Sequence, residues 1–148
     1  MTYPLTPGLA HTQRLRVTHA LTVPAVSPAF PGFADMPPVF ATAYMVGFLE
    51  WACVEALRPY LEPGEHTVGT QVEVTHQAAT PVGMEVTALV ELVETRGRKL
   101  RFKVTLWDDA DLIGEGWHER SVIDRARFLG RMAVKAAAGS AQLEAAAS

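Results

Sequence analysis

Residues 39–54 form a long apolar stretch that reads VFATAYMVGFLEWACV. Drawn as a helix, this stretch has apolar residues on every face, which is typical of a helix that other parts of the protein surround. Pro37 and Pro38 suit a first helical turn, and the segment LEPGE at residues 61–65 supplies the proline and glycine that end a helix. We therefore expect one helix from near Pro38 to about Tyr60.

Beyond His66 the apolar period changes from helical to two. Four segments alternate in this way, and the links between them are short. Successive strands joined by short links predict an antiparallel meander. The first strand contains TQVEVTH at residues 70–76, and the others span residues 84–95, 100–107 and 112–123.

The two ends of the chain are less regular. Residues 15–23 predict one further strand, and the proline-rich stretch that follows predicts a loop. At the other end, a basic segment with helical character leads into an alanine-rich tail that we expect to fray. The expected division is one domain at residues 1–128 and a C-terminal tail at residues 129–148.

A single arrangement accommodates this order of elements. Each predicted strand has one apolar face and the helix has no polar face, so a curved antiparallel sheet wrapped around the helix would bury both. This is an α+β structure, the hotdog fold. Because such a sheet leaves an edge strand unpaired, we expect two chains to pair into a homodimer with a continuous sheet.

Composition narrows the class of protein. A chain of 148 residues with a net charge of -3 fits one domain and has no general attraction to nucleic acid. The apolar stretch is shorter than the roughly 20 residues that a bilayer needs, and the first residues lack the pattern of a signal peptide. We expect a cytoplasmic protein with no membrane partner. The single cysteine, Cys53, excludes an intrachain disulfide and a cysteine zinc cluster, and no metal or cofactor is expected.

Glu50 is the first candidate for chemistry. It stands alone among Phe48, Leu49, Trp51 and Ala52, so the pattern predicts a buried carboxylate. Such a group needs a partner or a catalytic task, because uncompensated burial would cost several kcal/mol. The alternative is a carboxylate that reaches solvent or pairs with a base for structural reasons.

His76 and Thr42 are weaker candidates on their own. A lone histidine on the apolar face of a strand is often a core residue, but this face should press against the helix that carries Glu50. Thr42 lies close to the helix start, where threonine is commonly a cap. Eight helical residues place Thr42 and Glu50 ~12 Å apart along the axis and about 80° apart around it. Either substrate lies between them, Thr42 precedes the helix, or a partner chain supplies one of them.

Two other sets of residues have open interpretations. Cys53 follows Glu50 by three residues, but an apolar environment raises a thiol pKa, so we interpret it as a packing residue. His118 and Arg120 share one face of the last strand, opposite Trp117, and could face a ligand or cap an edge. The sequence contains no P-loop, no G-x-S-x-G and no H-E-x-x-H.

Three segments together resemble the fluoroacetyl-CoA thioesterase family of hotdog proteins. They contain the helix with its stop, the histidine strand and the H-E-R strand, in the order and at the separations found in that family. The segments are residues 39–65, 68–81 (VGTQVEVTHQAATP) and 114–123 (GEGWHERSVI).

The resemblance implies a homodimeric hydrolase of short acyl-CoA thioesters, with its active site near the subunit interface. It assigns the catalytic roles to Thr42, Glu50 and His76. It also places substrate contacts at two positions in the strands and two in a lid over the acyl pocket: Gly69, Arg120, Phe33 and Met36. Fluoroacetyl-selective members carry an aromatic residue where this chain has Met36, so we expect a broader or different short-acyl preference.

The expected mechanism is thioester hydrolysis. Backbone N–H groups near the helix start or Gly69 would polarise the carbonyl, and His76 would act as general acid or base. Glu50 would orient His76 or activate water, and Thr42 would bind the oxyanion, position water or be transiently acylated. The rival from another class is a non-catalytic module that binds an acyl-CoA or a small acid. A hotdog hydratase is a third interpretation, but the Asp/His pair that it generally needs is not evident.

Overall fold

Five antiparallel strands form one sheet around a long helix in the computed structural model, which describes residues 5–147. The elements are β1 (Ala10–Arg16), α1 (Thr42–Leu57), β2 (Glu65–Val74), β3 (Glu85–Arg96), β4 (Lys99–Trp107), β5 (Leu112–Asp124) and α2 (Arg125–Ala147). The sheet order is β1-β3-β4-β5-β2.

The sheet order corrects the prediction of a four-stranded meander. Strands β3, β4 and β5 do form consecutive antiparallel pairs, but β2 pairs with β5 and not with β3. The link between β2 and β3, residues 75–84, must therefore cross from one edge of the sheet towards the other. Alternation predicts a strand without naming its neighbour, so this crossing was not predictable from the pattern.

The first predicted strand is also displaced. Strand β1 spans Ala10–Arg16, where residues 15–23 were expected. Val17 is buried and exchanges backbone hydrogen bonds with the turn that precedes β3: its N–H donates to Met84 O, and Gly83 N–H donates to Val17 O, both at 2.9 Å. Beyond it, the chain turns through two short 3₁₀ segments, the second of which contains Pro24.

Helix α1 begins at Thr42, later than the expected start near Pro38. Val39 forms an isolated β-bridge with Pro81, and Phe40 forms one with Thr22, so both residues stay extended. The end of the helix agrees with the prediction, because a 3₁₀ turn (Arg58–Tyr60) follows Leu57 directly.

The buried side of α1 is a single stripe of residues spaced three and four apart. Its members are Met45, Phe48, Leu49, Ala52, Cys53, Ala56 and Leu57. They form one core with the inward-facing side chains of the central strands, among them Val86, Val90, Phe102 and Val104. The other side of the helix, with Ala43, Gly47 and Trp51, is exposed. One chain therefore covers only half of a helix that is apolar all round.

Helix α2 continues to Ala147, where a frayed tail was expected. Alanine has the highest helix propensity of all residues, so an alanine-rich segment can stay helical without tertiary packing. None of its residues, all of which the structure describes, is buried. Within residues 5–147, no helix is long and apolar enough to cross a membrane.

A substitution at Gly114 tests how tightly β5 packs against the link that follows β2. A Cβ atom built on Gly114 would overlap the carbonyl oxygen of Thr75 and lie 3.5 Å from Met45 Cε. Gly114→Ala is expected to lower the free energy of unfolding by about 1–3 kcal/mol, as overpacked cores do. Chemical denaturation measures this, with Gly130→Ala as the control, since a Cβ there meets nothing within 4 Å. Equal stability of the two variants would contradict the close packing at Gly114.

Candidate functional site

Thr42 and His76 form a hydrogen-bonded pair at the start of α1. Thr42 Oγ1 lies 2.7 Å from His76 Nδ1. His76 follows β2 and is not part of it, which corrects its predicted place on a strand face. The backbone on either side is held by β5, because Thr75 N–H donates to Glu115 O and Gln77 N–H donates to Ile113 O. These bonds fix the direction in which the imidazole reaches α1.

The second ring nitrogen of His76 is the notable atom of this pair. Nε2 is buried and has no hydrogen-bonding partner among residues 5–147. Burial lowers the pKa of His76 below its ordinary value, so the imidazole is neutral at neutral pH. A neutral imidazole bonded through Nδ1 leaves Nε2 as a donor or an acceptor, according to the tautomer.

Glu50 pairs with Arg120, whereas the sequence pointed to His76. Arg120 Nη1 donates to Glu50 Oε2 at 2.9 Å. The expected burial of Glu50 is wrong for a single chain: its side chain is 40% exposed, while that of Arg120 is 6% exposed. Arg58, a basic residue in the 3₁₀ turn that follows α1, pairs with Glu55 instead. The buried charge of this pair is therefore the cation, and the carboxylate faces outward.

Arg120 is held by other groups besides Glu50. Its Nε donates to Thr67 Oγ1 and its Nη2 to Thr67 O, both at 2.9 Å. Its Nη1 also lies 3.1 Å from His118 Nε2. The resemblance implied a substrate contact at Arg120, and the structure gives this guanidinium a set of protein partners.

Gly69 makes room for the carboxylate. A Cβ atom at this position would lie 2.7 Å from Glu50 Oε2 and 3.2 Å from His118 Cε1, so any side chain would displace these groups. The pairing of β2 with β5 shifts register between Gly69 and Gln71, which leaves Thr70 as an extra residue in the edge strand. A cleft of about 220 Å³ opens here, lined by Glu50, Gly69, Thr70, Gln71, Val72 and His118.

The predicted site residues thus fall into two clusters in one chain. Thr42 lies with His76, and Glu50 lies with Gly69 and Arg120. Their positions on α1, eight residues apart, prevent Thr42 and Glu50 from touching. The sequence left the role of His118 open between facing a ligand and capping an edge. It gave no signal for Thr67, because a threonine in a strand shows no functional pattern until the strand register is known.

The predicted lid residues precede α1 in an exposed segment. Phe33 is 36% exposed and Met36 is 46% exposed. Phe33 ends a short 3₁₀ turn and packs edge-to-face against Phe30, with ring centroids 5.5 Å apart. Exposed apolar side chains this close together are typical of a surface that closes over a ligand or a partner.

Cys53 has the properties of a packing residue. It is fully buried, and burial raises its pKa to about 12, although the Arg120 charge acts in the opposite direction. A thiol in this state is a poor nucleophile. In the described part of the chain, no cluster of three or more His, Cys, Asp or Glu residues could hold a metal ion.

Comparison with known proteins identifies the family. The family model for fluoroacetyl-CoA-specific thioesterase matches residues 17–126. The fluoroacetyl-CoA thioesterase of Streptantibioticus cattleyicolor is 48% identical over 130 residues, which cover 84% of this chain and 94% of that protein. The chain belongs to the fluoroacetyl-CoA-specific thioesterase family. The prediction of a thioester hydrolase is confirmed by this membership.

Solved structures of related thioesterases have the same fold as this chain. A variant of the fluoroacetyl-CoA-specific thioesterase, in complex with fluoroacetate and CoA, is 48% identical and superposes with a TM-score of 0.82, covering 84% of this chain and 99% of that chain. A thioesterase superfamily member from Thermus thermophilus is 28% identical, with a TM-score of 0.82 and coverage of 93% and 98%. These likenesses confirm the predicted hotdog fold of this family member.

Because of His76 and His118, we expect the folded protein to lose stability in acid. Burial lowers the pKa of His76 and of His118 below the ordinary 6.5. As pH falls below 6.5, the unfolded chain binds protons that the folded chain resists, so the free energy of unfolding decreases. Above that pH both states carry neutral imidazoles, and this contribution stays constant.

Denaturation at pH 7.5 and at pH 5 measures the effect. We expect His118→Gln to reduce the difference between the two pH values, because glutamine does not titrate. His66→Gln replaces an exposed histidine on the edge strand β2 and serves as the control. An unchanged acid loss in His118→Gln would show that His118 is not buried in its neutral form.

Proposed function

We propose that this chain hydrolyses short acyl-CoA thioesters with Thr42, Glu50 and His76. The observation that carries the proposal is the placement of Glu50, a carboxylate held by a buried arginine yet open to the cleft at the sheet edge. Family membership supports the acyl-CoA substrate, since the relatives named above are thioesterases of an acyl-CoA.

Glu50 acts on the thioester carbonyl carbon. Arg120 contacts only Oε2, and the exposed fraction of the side chain leaves the carboxylate accessible from the cleft. A carboxylate in this position serves as a nucleophile or as the base that takes a proton from water. With Glu50 as the base, water attacks the carbonyl carbon while Glu50 takes its proton, the C–S bond breaks, and that proton passes to the departing CoA thiolate. With Glu50 as the nucleophile, breaking the C–S bond leaves an acyl anhydride on Glu50, which water then hydrolyses to the free acid and the regenerated carboxylate.

The Thr42–His76 pair contacts the other side of the reacting group. His76 Nε2 is buried and has no hydrogen-bonding partner in the described part of the protein, and it engages the thioester oxygen or the departing sulfur through a proton. The hydrogen bond between Thr42 Oγ1 and Nδ1 fixes the ring for this task. Backbone N–H groups at the start of α1 add positive potential for the oxyanion.

A homodimer completes the site near its subunit interface. Strand β2 is an edge strand, and Val72 on it is 45% exposed. On the uncovered side of α1, Trp51 is 42% exposed next to Glu50. Pairing the β2 edges of two chains would cover both residues and form one continuous sheet. It would also bring a second chain to the two clusters that a single helix keeps apart.

Met36 favours a broad preference for short acyl groups. It lies with Phe33 in the exposed segment before α1, which we assign as the lid of the acyl pocket. A flexible thioether fills irregular space and selects shape less sharply than an aromatic ring. We expect acetyl-CoA and fluoroacetyl-CoA to be hydrolysed with similar specificity.

Steady-state hydrolysis of acetyl-CoA, fluoroacetyl-CoA and longer acyl-CoA thioesters tests this function. Glu50→Gln and His76→Ala are each expected to lower kcat by about 100-fold or more, since each removes a group that acts on the reacting atoms. Glu55→Gln is the matched control, because Glu55 lies on the same helix and pairs with Arg58 away from the cleft.

Two results would contradict the proposal. Wild-type rates no higher than those of the Glu50→Gln, His76→Ala double variant would exclude hydrolysis at this site. Tight binding of acyl-CoA in calorimetry, with no product over hours, would identify a non-catalytic binding module instead.

Light scattering coupled to gel filtration tests the dimer. Val72→Asp places a charge on the β2 edge and is expected to shift the protein towards the monomer, because the charge would be buried against its copy. Val134→Asp is the control, since Val134 is 72% exposed on α2. A wild-type monomer, or a Val72→Asp dimer of unchanged stability, would exclude pairing through this edge.

A further inference from the structure

We propose that Thr67 and His118 are positioning residues for hydrolysis, which together fix the Arg120 guanidinium in the orientation that holds Glu50. This inference rests on the role of Glu50 proposed above. Neither residue needs to touch substrate, because each acts through Arg120.

Protein acceptors engage the N–H donors of the Arg120 guanidinium. An arginine has five N–H groups in a planar fork. Nε and Nη2 bond the side chain and the carbonyl of Thr67, and Nη1 bonds both Glu50 and His118. Two of the four acceptors belong to Thr67. With these bonds made, rotating the group away from Glu50 would break several contacts in a buried place.

The two ring contacts of His118 define its tautomer. Its Nδ1 lies 2.7 Å from Gln71 O, and a carbonyl only accepts, so Nδ1 carries the hydrogen. Its Nε2 lies 3.1 Å from Arg120 Nη1, which only donates, so Nε2 carries the lone pair. Both contacts require the same neutral ring. His118 is 2% exposed, and the charged groups that act on it are Arg120, Glu50 and Glu119.

The β2 residues that accept hydrogen bonds from Arg120 and His118 flank the irregular part of that strand. Thr67 and Gln71 stand on either side of Gly69 and of the register shift in β2. Arg120 and His118 lie on β5 and reach across to them. The network therefore ties both sides of an irregular edge strand to β5, at the point where the cleft opens beside Glu50. The shape of the edge and the position of the carboxylate depend on the same bonds.

Thr67 offers a nearly isosteric test. Thr67→Val removes the hydroxyl acceptor and keeps the carbonyl acceptor, so Arg120 loses one anchor and little volume. We expect kcat to fall by about tenfold with KM within about twofold of wild type, because a misplaced carboxylate affects chemistry more than binding. Thr67→Ser keeps the hydroxyl and should restore kcat. Thr105→Val, on β4, is the matched control for a strand threonine.

His118 provides an independent pair of variants. His118→Phe keeps a ring but has no acceptor for Arg120, and a loss of kcat similar to that of Thr67→Val is expected. His118→Gln places an amide oxygen within reach of Arg120 and should recover most of the rate. Thermal unfolding of each variant shows whether it is folded, so a loss of rate is compared only among variants with an intact structure.

A measurement without turnover separates this inference from the proposed function. In the wild-type protein, ¹⁵N NMR should show His118 protonated at Nδ1 and bare at Nε2, whether or not thioesters are hydrolysed. The opposite tautomer, or wild-type kcat in folded Thr67→Val and His118→Phe, would overturn the positioning role. If the tautomer is as expected but wild-type protein fails to hydrolyse any thioester, the proposed function fails and the network remains as a structural device.

Discussion

The structure depends on one constraint: α1 is apolar on every side, and a five-stranded sheet covers only one of them. The covered stripe, from Met45 to Leu57, forms the core. The uncovered stripe leaves Gly47 and Trp51 exposed, and Glu50 lies at the border of the two. Burying the second stripe needs another surface, so the hydrophobic effect that folds the chain also favours its association. The Glu50 carboxylate lies at the boundary between the stripe that the sheet buries and the stripe that stays exposed.

Periodicity predicted the elements better than their arrangement. Alternation located the last three strands of the sheet to within a few residues, since half-buried strands show it strongly. It could not show that β2 crosses to pair with β5, because pairing depends on contacts distant in sequence. The late start of α1 has the same cause: Val39 and Phe40 are held extended by bridges to Pro81 and Thr22. Local helix signals carry no information about such bridges.

The sequence named most residues of the two clusters but did not predict their contacts. An isolated carboxylate in an apolar run signals a partner, and Glu50 has one. Which base it meets depends on the register of β2 against β5, where a single extra residue near Thr70 changes the facing side chains. Alternation correctly put His118 and Arg120 on one face of β5, and both are buried. Thr67 gave no signal, because its role exists only once Arg120 lies beside it.

The asymmetry of the Glu50–Arg120 pair connects the fold to chemistry. Burying an arginine is costly unless its donors are satisfied, and here Thr67, His118 and Glu50 accept from it. Because the protein supplies acceptors for the cation, the carboxylate does not need to be enclosed to complete the pair. The reverse arrangement, with the carboxylate buried and the arginine exposed, would enclose the carboxylate that we propose to act on the thioester. Gly69 also keeps the Glu50 carboxylate in the cleft, since a side chain at this position would displace it. The network around Arg120 thus places its buried charge where the fold can stabilise it and leaves the Glu50 carboxylate open to the cleft.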